Sequence, residues 1–290
     1  MKKYELTSDV IEANGRKLFR IRALRDFADV KAGDLGGYIE KEENLSQDED
    51  CWVGGEAKVS EEARVSENAY VCRKFQIHGR ARVSGNAVVS GTGIVGGNAC
   101  VEGEARVRGN ACVGGEARVS GNACVGGTAM VYEIACVEGT ATVSGNAVVC
   151  GGAYVSGNAV VCGEACVRGN AVVYGEARVS GDAVVCGGAC VRGNACVRGN
   201  AVVSGDAQVS QSADYAIMGG FGSKHWTITF YRQKRRTIGV QCGCFNGNLM
   251  EFRKRVKKVY GDTKFAKEYL MIADLMELHF ANRSKDENGE

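Results

Sequence analysis

The sequence predicts a mainly β protein whose middle folds as a parallel β-solenoid, a coil of short strands stacked along one axis. Three observations predict this class. From Val53 to Val209 the chain contains 27 consecutive units of six residues, with valine at every first position except Ile77. The fifth position is alanine nearly throughout, with Phe75 and Gly93 as the departures. The 290 residues include 41 glycines and no proline, which indicates a repeated backbone with glycine at fixed corners.

Each unit reads as one short strand followed by a turn. Successive side chains of a strand alternate between its two faces, so the pattern Ala, x, Val, x places alanine and valine inward. A unit this short cannot bury its own apolar side, and the stacking of coils supplies the core. We therefore predict a solenoid over residues 53–214, between an N-terminal segment (1–52) and a C-terminal segment (215–290).

Departures from the repeat predict how many units form one coil. Asn or Asp occupies the fourth position of most alternate units, a period that suits a two-sided coil of two units. The sixth position of each unit points outward. Among the odd-numbered units from residue 94 onward, every third unit has an uncharged residue at this position, and the units between them have most of the arginines found there. A coil of three units sorts these side chains onto different faces, and a coil of two units does not. We predict about nine three-sided coils.

One outer face of such a coil is apolar. It stacks seven uncharged residues, namely Ile94, Cys112, Met130, Val148, Cys166, Val184 and Val202. Arg168 is the one charged residue in the neighbouring outward column, whereas both other faces carry several charges. Because an exposed apolar strip along a parallel sheet favours association, we predict that these seven residues form the interface of a homo-oligomer. The alternatives are cover by the C-terminal segment and the binding of another protein.

The two ends are not repeats. Residues 1–52 read as strands and turns, and they are predicted to cap the open edge of the solenoid. In the C-terminal segment, WTITFYR and TIGVQCGCF read as a β-hairpin joined by QKRR. A first helix is predicted from an Asn248 cap, with Glu251 three residues later, to a stop at Gly261. A second helix follows Asp262, which gives a ββαα module.

This module is strongly basic. Between residues 224 and 267 there are twelve Lys or Arg and two acidic residues. Such a surface binds nucleic acid or an acidic protein through electrostatic attraction, and a solvated basic surface is the alternative. The predicted partner-binding residues are Arg232, Arg235, Arg236, Arg253, Arg255 and Lys257.

The opening RDFADVKAGDLGGYIEKEENLSQDEDCWV, followed by V-x-G-N-A-x units, resembles uncharacterised hexapeptide-repeat proteins of bacteria, prophages and phages that are often labelled acyltransferases. The resemblance covers residues 20–214 and implies a left-handed parallel β-helix and a phage or prophage origin. The C-terminal segment resembles a small domain that recurs in phage-encoded proteins, for which no activity is implied.

The resemblance also implies an alternative function, that of a trimeric acyltransferase that uses acyl-CoA and a histidine base. His78 is the one histidine in the solenoid, in an outward position of an uninterrupted unit, so we interpret it as a surface residue. Cys242 and Cys244 are predicted to share one strand face, but two further metal ligands are not evident, and no metal or cofactor is predicted. The fourteen cysteines are interpreted as free thiols.

The N-terminus has no apolar signal core and the chain no apolar run of eighteen residues, so a cytoplasmic protein without a membrane span is predicted, in the host cytoplasm if it is phage-encoded. The function we predict is a non-enzymatic scaffold or binding protein. It self-associates through the apolar face and engages a host macromolecule through the basic module, with interference in host defence as one purpose that the resemblance suggests. The alternatives are the acyltransferase and a nucleic-acid-binding protein.

Overall fold

The computed structural model describes residues 2–234 and 236–281. Its centre is a parallel β-solenoid in which Ile94 pairs with Cys112, and Cys112 with Met130, so strands three units apart in the sequence lie side by side. Consecutive strands pass around three sheets in turn. The predicted three-sided coil of three units is therefore confirmed, while the hand of the coil stays an implication of the resemblance.

The three sheets form three flat faces, most of whose strands are two residues long. The first face contains Leu35–Ile39, Lys58–Val59, Gln76–Ile77, Ile94–Val95, Cys112–Val113, Met130–Val131, Val148–Val149, Cys166–Val167, Val184–Val185 and Val202–Val203. The second face contains Arg64–Val65, Arg82–Val83, Cys100–Val101, Arg118–Val119, Cys136–Val137, Tyr154–Val155, Val172–Val173, Cys190–Val191 and Gln208–Val209. The third face contains Trp52–Val53, Tyr70–Arg73, Val88–Gly91, Arg106–Gly109, Cys124–Val125, Thr142–Val143, Val160–Val161, Arg178–Val179 and Cys196–Val197.

The solenoid has about ten turns, because the first face gains a strand ahead of the six-residue units. Within Leu35–Ile39, Tyr38 pairs with Lys58 and Ile39 with Val59, both in parallel. This strand lacks the Val and Ala spacing of the repeat, so the sequence pattern alone does not reveal that it belongs to the coil.

The core consists of the inward valines and alanines, which are fully buried along the repeat. The two departures from alanine lie together, since a Cβ on Gly93 would overlap the Ala111 carbonyl oxygen and would lie 2.8 Å from the ring of Phe75 on the preceding coil. Corner glycines adopt a left-handed conformation that other residues rarely accept. At Gly151, for example, φ is 69° and an added Cβ would lie 2.9 Å from the backbone nitrogen of Gly169.

The N-terminal segment closes one end of the solenoid and confirms the predicted β cap. Tyr4–Ala13 and Arg16–Ala23 form an antiparallel hairpin, and the second of these strands pairs antiparallel with Leu35–Ile39. A short 3-10 helix, Glu42–Asn44, follows. The rings of Phe27 and Trp52, with centroids 5.4 Å apart, pack across the end of the core.

The C-terminal module contains four antiparallel strands and two helices. The strands are Tyr215–Met218, Ile228–Arg232, Ile238–Cys242 and Phe245–Asn248, and a 3-10 helix, Ser212–Asp214, precedes them. Helix α1 is Leu249–Tyr260 and helix α2 is Lys264–His279. The predicted start of α1 is confirmed, because the Asn248 side chain accepts a hydrogen bond from the Glu251 backbone nitrogen and the chain turns at Gly261.

The module differs from the prediction by two additional strands. The segment TIGVQCGCF does not form one strand, because Gly243 takes a φ of 56° and the chain reverses between Cys242 and Phe245. Tyr215–Met218 completes the other edge by pairing with Ile228–Arg232. The module is therefore a four-stranded sheet covered by two helices.

The module joins the solenoid at its last coil. Tyr231 is buried within the solenoid core, with its hydroxyl 3.0 Å from Ser204 Oγ, and Asn246 Nδ2 donates to the same oxygen at 2.8 Å. Among residues 2–234 and 236–281, no helix combines the length and the apolar character that crossing a membrane requires.

Candidate interaction surfaces

The predicted interface residues form one continuous ladder on the first face. Each is paired in register with the next along the coil axis: Ile94, Cys112, Met130, Val148, Cys166, Val184 and Val202. The seven strands span roughly 29 Å at the usual spacing of about 4.8 Å. We call these seven side chains the apolar ladder.

The apolar ladder is accessible along its length. Ile94 is 36% and Met130 43% exposed, and the other five side chains are half-buried between their neighbours. Burial raises the pKa of the Cys112, Cys166 and Cys186 thiols, so these groups on the face are neutral at pH 7. The apolar ladder and the neighbouring outward column, which contains Arg168, therefore carry one charge, that of the exposed Arg168 side chain.

Charged side chains concentrate on the other two faces. On the second face, Arg64 and Arg82 are exposed in paired strands, and Arg118 forms an ion pair with Glu102 at 2.6 Å. On the third face, Arg106 and Arg178 are exposed. The rod therefore has one apolar and two charged sides.

The C-terminal module does not cover the exposed part of the ladder within the described ranges. Its contacts with the solenoid involve the last coil, where Thr229 accepts a hydrogen bond from the Val202 backbone nitrogen and the Lys234 nitrogen donates to the Asp206 carbonyl. Met130 lies four coils earlier on the same face and remains exposed. Cover by this segment, one of the alternatives, has no support in residues 2–234 and 236–281.

The predicted partner-binding residues of the module have different environments. Arg232 is ion-paired with Asp214 at 3.1 Å, and Arg253 bridges Asp274 and Glu277 at 2.6 Å each. Arg235 lies outside the described residues. Arg236, Arg255 and Lys257 are exposed.

These residues do not form a single patch. Arg236 lies in the turn between Ile228–Arg232 and Ile238–Cys242, whereas Arg255 lies beside the Cys244 turn at the opposite end of that hairpin. Lys254, Arg255, Lys257 and Lys258 remain as an exposed basic group on α1. This group is one exposed basic surface of the module.

The residues considered as metal ligands or as a catalytic base are Cys242, Cys244 and His78. Cys242 is buried in its strand and Cys244 is exposed in the following turn, so the prediction that both thiols share one strand face is wrong. Within the described ranges, no three His, Cys, Asp or Glu side chains are grouped as metal ligands. The half-buried His78 ring lies over Gly96 of the next coil, where an added Cβ would come within 2.7 Å of it.

Comparison with known families agrees with the coil geometry. Two overlapping segments, residues 76–91 and 81–97, match a family model described as the YdcK beta solenoid repeat. No curated protein matches the chain. The matched segments lie within the stacked strands of all three faces. The family match and the stacked parallel coils together identify the chain as a repeat protein of the β-solenoid class.

Proposed function

We propose that this protein is a non-enzymatic scaffold whose rods associate side by side through the apolar ladder. The observation that carries the proposal is the unequal distribution of charge over three faces built from the same repeat. All three faces have the same inward valines and alanines, so packing of the core does not require the seven residues of the apolar ladder to be uncharged. An interface does, because burying an unpaired charge is costly.

The basic module gives the scaffold a second surface, for an acidic macromolecule. Its support is the group of four exposed cations on α1, Lys254, Arg255, Lys257 and Lys258. The resemblance adds a phage origin, a host macromolecule as this partner and interference with host defence as the purpose.

Two matched pairs of substitutions test the association. Val148→Lys with Val184→Lys places two charges in the apolar ladder, and the mass measured by light scattering is expected to fall to that of one chain, 30.7 kDa. The control is Val160→Lys with Val172→Lys, at equivalent outward positions of the third and second faces. The control protein is expected to keep the mass of the unaltered one.

Circular dichroism of each variant establishes that the β-solenoid still forms. An unchanged mass for the folded ladder variant would contradict the proposed interface. So would an equal loss of mass in both variants, because the effect would then not be specific to the first face.

A further inference from the structure

A small apolar cavity lies inside the C-terminal module, between α1, α2 and the turn that follows Cys242. Its volume is about 180 Å³. Five aromatic rings form most of its wall: Trp226, Phe245, Phe252, Tyr260 and Tyr269. This cavity is distinct from the apolar ladder, and Cys242, Phe252, Val256 and Tyr269 of the module's own core line it.

The walls are held in place by contacts among the rings. The Phe252 centroid lies 5.6 Å from that of Phe245 and 5.8 Å from that of Tyr269, and Tyr260 lies 5.5 Å from Tyr269. Tyr269 also packs directly on Gly222, where an added Cβ would overlap the phenol oxygen. The cavity is therefore formed by packed aromatic rings.

The interior carries no charge at neutral pH. Burial raises the pKa of Tyr269 to about 12 and that of the Cys242 thiol to about 11, so both groups stay protonated. A ligand inside the cavity therefore meets apolar rings and neutral polar atoms. Such walls favour an apolar group over an ionic one.

The mouth of the cavity carries a single cation. Arg255 is the one charged residue that lines the cavity, and it makes no ion pair with any residue of 2–234 or 236–281. Arg253, two positions earlier, is by contrast held between Asp274 and Glu277. Trp226 and Val259 line the same cavity as Arg255 and are 42% and 52% exposed. The rim therefore offers exposed apolar surface together with an available guanidinium.

We propose that this cavity binds a small apolar carboxylate, with its ring or short alkyl chain between the aromatic walls and its carboxylate on Arg255. The size fits, since an engineered apolar protein cavity of about 150 Å³ holds benzene. Arginine binds a carboxylate through two parallel hydrogen bonds, which fixes the orientation of the ligand. The inference does not depend on association of the solenoid.

Calorimetric titration of the full chain with 3-phenylpropanoate tests this inference. Binding is expected, and 3-phenylpropanol, which has the same ring without the charge, is expected to bind at least tenfold more weakly. Arg255→Gln should weaken binding of the acid about tenfold, towards that of the alcohol. The matched control, Lys254→Gln, removes a charge from the same helix at a residue that does not line the cavity and should leave the affinity unchanged.

Three results would overturn the inference: no binding of the acid at millimolar concentration, equal binding of acid and alcohol, or equal losses in the two variants. A second titration distinguishes the sources of the carboxylate. A peptide that ends in phenylalanine with a free carboxylate is compared with the same peptide amidated at its C-terminus. Tighter binding of the free peptide than of 3-phenylpropanoate indicates a polypeptide C-terminus, and binding of 3-phenylpropanoate alone indicates a small molecule.

Discussion

At the scale of single residues, Lys3 is a buried cation at the N-terminal end of the solenoid. Its Nζ donates to the carbonyls of Asp48, Glu49 and Cys51 at 3.0 to 3.2 Å and lies 3.2 Å from the Cys51 Sγ. The ring of Phe27 lies 5.3 Å away. These contacts satisfy carbonyls of the turn that leads into the first complete coil, so Lys3 joins the N-terminus to the solenoid.

Lys3→Met tests this role. The substitution leaves the carbonyls around Lys3 without their donor, and a lost hydrogen bond to a charged group costs about 1.5–3 kcal/mol. Hydrogen exchange measured by mass spectrometry is expected to become faster in residues 44–53. The neighbouring Lys2→Met is the control, because Lys2 is exposed and pairs with Glu42 at the surface. Equal exchange in the two variants would contradict the role.

Single residues also determine how far the coil is predictable. Phe75 and Gly93 are the two departures from alanine at the fifth position, and they are three units apart in the sequence. In the structure they face each other across adjacent coils, where the Phe75 ring and the Ala111 carbonyl oxygen occupy the space that a Gly93 side chain would need. Compensating departures at this separation are therefore a sequence signal for the coil length, in addition to the sorting of outward side chains.

At the scale of elements, the corner glycines set the path of the chain from one face to the next. Gly187 has a φ of 69°, and an added Cβ would lie 2.9 Å from the backbone nitrogen of Gly205. The adjacent Gly188 has no left-handed backbone, and its nearest atom would lie 3.6 Å away, at ordinary contact distance. Gly187 and Gly188 are therefore expected to differ sharply in how well they tolerate substitution by a residue with a Cβ.

Gly187→Ala is expected to lower the free energy of unfolding by about 1–2 kcal/mol, because alanine is strained in the left-handed region and its Cβ meets the next coil. Gly188→Ala is expected to have little effect. Urea unfolding followed by circular dichroism measures both. Equal midpoints for the two variants would show that the corner conformation does not limit stability.

The basic group on α1 leads to a prediction about polyanions. Binding of the full chain to duplex DNA, used as a polyanion, is expected to weaken steeply with salt. Arg255→Ser with Lys257→Ser should reduce the slope of log affinity against log salt by about 2, since each phosphate contact contributes about 0.9. Fluorescence anisotropy at several salt concentrations measures the slope.

The control for this prediction removes two exposed arginines from the third face of the solenoid, with Arg106→Ser and Arg178→Ser. These substitutions change the net charge equally but lie outside the module. If the slope of log affinity against log salt changed equally in both variants, the binding would depend on the overall charge of the protein and not on the basic group of α1. No salt dependence in the unaltered protein would contradict the basic surface itself.

The elements of the module were predictable to different degrees. Helix α1 has local signals at both ends, the Asn248 and Glu251 capping box and Gly261, and these stand in the sequence. Phe245–Asn248 has no comparable signal, because FNGN lacks the alternation of a strand and pairs only after Gly243 turns the chain. The arrangement of the basic residues was not predictable either, since the ion pairs of Arg232 and Arg253 depend on tertiary contacts.

At the scale of the whole molecule, chain outside the repeat lies against both terminal strands of the first face. Arg16–Ala23 pairs antiparallel with the first strand, and Thr229 bonds to the last strand at Val202. Because coils of different molecules stack end to end through open edges of their coil strands, covering these two strands disfavours head-to-tail growth of the solenoid. The apolar ladder therefore becomes buried when rods associate side by side.

Lateral association is the central claim, and sedimentation equilibrium of the unaltered full chain tests it most directly. The account predicts, at micromolar concentration, a mass of at least two chains, that is, twice 30.7 kDa or a higher whole-number multiple. It also predicts a defined multiple rather than a continuous series, since the covered edges limit growth along the axis. The mass of a single chain throughout the concentration range would contradict the account, because the apolar ladder would then remain exposed in a stable monomer.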